Sequence, residues 1–151
     1  MERDERGLTL IEVLASITIL SILGVIIWNV FLQGYKLSQR AVSKNSMIQE
    51  TNLVITNLTR IHQKSTQYTL SNTGANCEIT INYTKMDGTT QTEIYNNPQI
   101  CFNFDITNSV TMPVNPKQND VSLKITSSDK KNPSNNITIN TMLYRIKAGG
   151  Y

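Results

Sequence analysis

A single carboxylate, Glu12, interrupts a stretch that is otherwise free of charge from Gly7 to Leu32. An acid in an apolar helix loses its hydration where nothing replaces it, so it calls for a partner of opposite charge. Cys77 and Cys101 are the only cysteines. Neither a CxxC spacing nor a nearby histidine makes them a metal pair. Outside the cytoplasm their natural use is a disulfide, the use expected here; in a reducing compartment they would be two separate thiols. His62, the only histidine, follows Ile61 late in a helical stretch and is expected at its surface or rim. No Ser-His-Asp set, zinc spacing or phosphate-cradling glycine loop is visible. Asp120 and Asp129 flank a strand without forming a calcium loop. The residues point away from enzyme chemistry, and no catalytic, metal or cofactor site is expected. The 14 basic and 11 acidic groups leave a net charge of +3. The basic groups are scattered, so no specific nucleic-acid partner is expected.

The elements that would position these residues follow from the apolar pattern. Residues 1–7, MERDERG, are short and polar. From Val13 to Leu32 the chain carries no charge. Twenty helical residues reach roughly 30 Å, enough to cross a bilayer's hydrocarbon core. No proline occurs before Pro98, so the helix is predicted to continue from about Leu8 to about Ser65. Its second half is amphipathic: Leu37, Ala41, Ile48, Ile55 and Leu58 share one face, with Val54 and Ile61 on its shoulder. Strands are predicted from Cys77 to Thr84, Gln91–Tyr95, Ile100–Ile106, Val121–Ile125 and Ile137–Ile146, with a tight hairpin at Asp87-Gly88. All four prolines fall between these runs. The expected fold class is α+β. A long N-terminal helix, transmembrane in its first half and amphipathic in its second, packs on an antiparallel β-sheet head.

The run Arg6-Gly7-Leu8-Thr9-Leu10-Ile11-Glu12-Val13-Leu14 joins a basic residue, a glycine, four uncharged residues, a carboxylate and an apolar span. In this it resembles the type IV pilin and type II secretion pseudopilin superfamily, including the competence pseudopilins of Gram-positive bacteria. The resemblance covers about the first 30 residues. It implies cleavage by a prepilin peptidase between Gly7 and Leu8 and N-methylation of the new amine at Leu8. It also implies that Glu12 pairs with such an amine, often a neighbouring subunit's, during assembly. The implied organisation is a leader over 1–7, a transmembrane and assembly helix over 8–32, its amphipathic continuation over 33–65 and an extracytoplasmic head over 66–151. Implied partners are the prepilin peptidase, other pilin or pseudopilin subunits, an inner-membrane assembly platform and membrane lipid. The implied topology is single-pass with a cytoplasmic N-terminus, and the function is that of a filament subunit in secretion, DNA uptake or adhesion. The long helix followed by several strands is similar to the larger minor pseudopilins of the J or W type. Two features depart from the pattern: Leu8 stands where phenylalanine is commonest, and the anchor lacks the proline of many major pilins.

Two other readings share the apolar segment. A secretory signal peptide would have a net-positive start, a shorter apolar core and a small-residue cleavage site after it. Here three acids face two arginines before Gly7, and no such site follows Leu32. A plain single-pass anchor on an extracellular binding domain fits the span but gives Glu12 no role.

Overall fold

The computed structural model describes residues 9–73 and 77–146. Its elements run in the order α1 (Leu10–Lys64), β1 (Ser65–Thr73), β2 (Glu78–Lys85), β3 (Thr90–Tyr95), β4 (Ile100–Ile106), β5 (Val121–Asp129) and β6 (Asn136–Leu143). The fold is α+β, with a long N-terminal helix followed by antiparallel strands. The chain divides into two compact units, Met1–Ala41 and Val42–Tyr151, the boundary falling within α1.

In the second unit the strands form two three-stranded antiparallel sheets, β1-β2-β3 and β4-β5-β6, where the sequence suggested one. The break falls between β3 and β4 at Pro98, whose nitrogen has no hydrogen to give a ladder. β1 escaped the sequence reading because Ser65–Thr73 carries little apolar signal; Tyr68 and Leu70 are its buried apolar residues. β5 runs on to Asp129 because Ser127 and Ser128 pair with both β4 and β6. The Asp87-Gly88 turn forms as expected. Gly88 has φ +84°, which a side chain would resist, and Asp87 Oδ1 accepts from the Thr89 backbone N–H at 2.8 Å and its hydroxyl at 2.6 Å. Cys77 and Cys101 are joined by a disulfide that links the start of β2 to β4.

The core of this unit lies between the end of α1 and the inward faces of both sheets. Met47, Thr51, Val54, Leu58 and Ile61 are buried, following each other at steps of four and three. At 100° per residue these steps keep one stripe facing inward. The stripe is rotated from the one expected. Ile48 is 41% exposed, Ile55 is half-buried, and the shoulder residues Val54 and Ile61 sit at its centre. Thr51 explains the rotation. Its hydroxyl meets Ser127 Oγ at 2.6 Å inside the core, with both residues fully buried. A polar residue at a core position hides the stripe from an apolar count. Thr51→Val keeps the shape but strands the Ser127 hydroxyl, which should cost about 1–3 kcal/mol in urea unfolding of the full-length protein. Adding Ser127→Ala should recover most of the loss; an additive double variant would show that the pair is not coupled.

His62 is fully buried, not at the surface or rim. Tyr68, on the unexpected β1, packs edge-on against its ring, and its hydroxyl shares a 2.9 Å hydrogen bond with Nδ1. Around this pair the C-terminal segment is tied to the helix end. Gln63 donates to the Tyr144 carbonyl, its own side-chain oxygen accepts from Ile146 N–H, and Arg145 donates to the Ser65 carbonyl. Burial holds the His62 imidazole below its ordinary 6.5; Asp120 opposes this and Arg145 adds to it. Folding thus favours the neutral ring, while the unfolded chain takes up a proton as pH falls through 6.5. Stability from this site is therefore full above that value and declines below it. Asp87, Glu93 and Asp129 are also held low, with the same sign, and as carboxylates their decline lies at lower pH than the imidazole's. Unfolding measured against pH should show a separate decline beginning near 6.5. His62→Asn, which offers an amide at the Nδ1 position, should remove that decline and leave the carboxylate one.

Candidate functional site

The candidate site begins where α1 begins. Thr9 precedes the first helical residue, Leu10, and Glu12 stands in the first turn. The Thr9 hydroxyl accepts from Glu12 N–H at 3.4 Å. The Glu12 carboxylate reaches back to accept the Thr9 backbone N–H at 2.8 Å and the Thr9 hydroxyl at 2.9 Å. This is a reciprocal capping box, Thr-x-x-Glu, which satisfies N–H groups that the first turn leaves without partners. A carboxylate is also favoured at the positive end of the helix dipole. The motif was legible in the sequence, and the sequence reading passed over it. Glu12 therefore has a local partner within its own chain.

Beyond Glu12, the polar residues of the apolar stretch turn inward on the helix itself. Ser16, Thr18 and Ser21 donate their hydroxyls to the carbonyls of Glu12, Leu14 and Ile17 at 2.7, 2.8 and 2.7 Å. No hydroxyl among these three needs water, which suits a segment surrounded by hydrocarbon. The large apolar side chains from Leu10 to Leu32 all lie exposed, Leu10 at 88% and Leu20 at 74%. α1 is long and apolar enough to cross a membrane, and none of its most apolar window is buried. Such a surface is stable only against lipid or other apolar helices. A Cβ placed on Gly24 would meet nothing within 4 Å.

Gly7, Leu8 and the rest of the 1–7 segment lie outside the described residues. The structure places Glu12 and brings Thr9 to it. Among the described residues, no three His, Cys, Asp or Glu side chains converge as metal ligands.

Residues 3–28 match the family model described as the prokaryotic N-terminal methylation motif. The matched span contains Gly7, Leu8, Thr9 and Glu12, and it does not reach the strands. No curated protein and no solved structure matches the chain. The methylation motif carried on residues 3–28 is the feature this chain shares with type IV pilins and pseudopilins, and it supports that superfamily.

Proposed function

We propose that this chain is a prepilin cut between Gly7 and Leu8, methylated at Leu8 and assembled into an extracytoplasmic filament through Glu12. The observation that carries the reading is the match over residues 3–28, in which a glycine, a junction residue and a lone carboxylate open an apolar run. Arg3 and Arg6 stay on the cytoplasmic side, since basic residues flanking the first apolar span set orientation. The head, residues 66–151, then lies outside the cytoplasm, a compartment that allows the Cys77–Cys101 disulfide. The filament is pilus-like or a pseudopilus, with this chain as a minor subunit, serving secretion, DNA uptake or adhesion. Its partners are the prepilin peptidase, other pilin or pseudopilin subunits, the assembly platform and membrane lipid. The part it plays is structural.

One observation favours a second reading. The capping box engages Glu12 within its own chain, so a plain single-pass anchor no longer leaves that carboxylate idle. Processing separates the two. Mass spectrometry of the protein recovered from membranes should find a chain starting at Leu8, heavier by about 14 Da for one methyl group. Replacing Gly7 by a bulkier residue should leave the precursor inserted but uncut. A mature chain that keeps Met1 and the 1–7 segment would leave only the plain anchor.

A further inference from the structure

The end of α1 and the turn between β2 and β3 enclose a cleft of about 390 Å³, within the size range of small-ligand sites. Its walls are mostly apolar, supplied in part by Ile61 and by Met86, which is 62% exposed at the turn. Arg60, Lys64, Lys85 and Asp87 bring charge to it. These charges are not equivalent. Glu93 holds Arg60 at 3.0 Å and so compensates the guanidinium. Asp87 is engaged in the turn by the Thr89 N–H and hydroxyl. Among the described residues, neither the Lys64 nor the Lys85 ammonium has an ion-pair partner. Two ammonium groups against one carboxylate leave a single positive charge on an apolar cleft.

Ser65 also lines this cleft, and its hydroxyl is buried with no hydrogen-bond partner. Such groups are rare in folded proteins, because burial removes water and nothing replaces it. The helix dipole accounts for Lys64 in the last turn of α1. It does not account for Lys85 or the exposed Met86.

We propose that this cleft binds a small organic monoanion, an aromatic or short acyl carboxylate. The apolar body lies against Ile61 and Met86, and the carboxylate meets Lys64 and Lys85. The Tyr83 hydroxyl already meets Gln91 and Glu93, at 2.9 and 3.0 Å, so its ring offers contact and not a further donor. A dianion such as a phosphate monoester is disfavoured, because the cleft carries one net positive charge and Asp87 lies at its edge.

The test uses the full chain in lipid nanodiscs with methyl-labelled methionine, so that Met86 reports on the cleft. Titrated 2-naphthoate should shift the Met86 methyl signal saturably, while 2-naphthamide and 2-naphthyl phosphate should each bind about tenfold more weakly. Empty nanodiscs correct for partition into lipid. Lys64→Gln with Lys85→Gln should abolish the shift, with unchanged circular dichroism showing that the fold survives. Lys124→Gln, on the exposed face of β5, should change nothing. Equal binding of naphthoate and the neutral amide, preference for the phosphate, or retention of binding by the double lysine variant would each overturn the proposal.

Discussion

Glu12→Val subunits should insert into the membrane and be cleaved normally, yet enter filaments about tenfold less than wild type at equal expression, a loss on the scale of one charged contact. Insertion should not suffer, since a neutral residue crosses an apolar environment more easily than a charged one. Two roles for Glu12 must be told apart: closing the capping box on Thr9 and neutralising an amine on a neighbouring mature helix. The capping box accepts glutamine as readily as glutamate at its third position. Glu12→Gln therefore retains the cap and loses the charge, so it should assemble nearly as poorly as Glu12→Val. Thr9→Ala weakens the cap and leaves the carboxylate, so it should assemble nearly normally. Glu12→Asp, with charge retained and reach shortened, should fall between. Filament content measured by shearing and immunoblotting decides the matter. If Glu12→Gln assembles like wild type while Thr9→Ala does not, the carboxylate serves the cap alone and the proposed intersubunit pairing fails.

The second large effect concerns the disulfide. Cys77 and Cys101 lie 24 residues apart and join β2's sheet to β4's. A cross-link of this span removes loop-closure entropy from the unfolded chain, worth about 3–4 kcal/mol by chain-entropy reasoning. The double Cys→Ser variant should accordingly lower the urea midpoint of head unfolding, with the loss lying in the unfolded state more than in native contacts. In cells, both thiols of the wild-type chain should resist alkylation until a reductant is added. Ready labelling without reductant would place the head in a reducing compartment and count against the extracytoplasmic topology.

The residues that fold locally were legible from the sequence. The long helix follows from the absence of proline and from an unbroken apolar run. The hairpin follows from Asp87-Gly88, and β2, β4 and β5 follow from period-two alternation. The Thr9–Glu12 cap was equally legible, since Thr-x-x-Glu at a helix start is a short-range signal; Glu12 was read for its charge alone. The same locality makes the methylation motif readable, because Gly7, Leu8 and Glu12 are identified by residue type and spacing alone.

What the sequence by itself determined is the order and type of most elements and the identity of the N-terminal motif. Which face of α1 goes inward was decided only by tertiary structure. Thr51 is counted as polar until its hydroxyl, which donates to the Met47 carbonyl, also meets Ser127 Oγ from a distant strand at 2.6 Å. His62 looks like a rim residue until β1 brings Tyr68 against it, and β1 itself is weakly apolar and forms on the edge that β2 offers. The division into two sheets likewise depends on long-range pairing: β5 joins β4 to β6 in one sheet, while the disulfide spans to the other. In each case the deciding free energy comes from contact between different elements, and periodicity within one segment does not contain it.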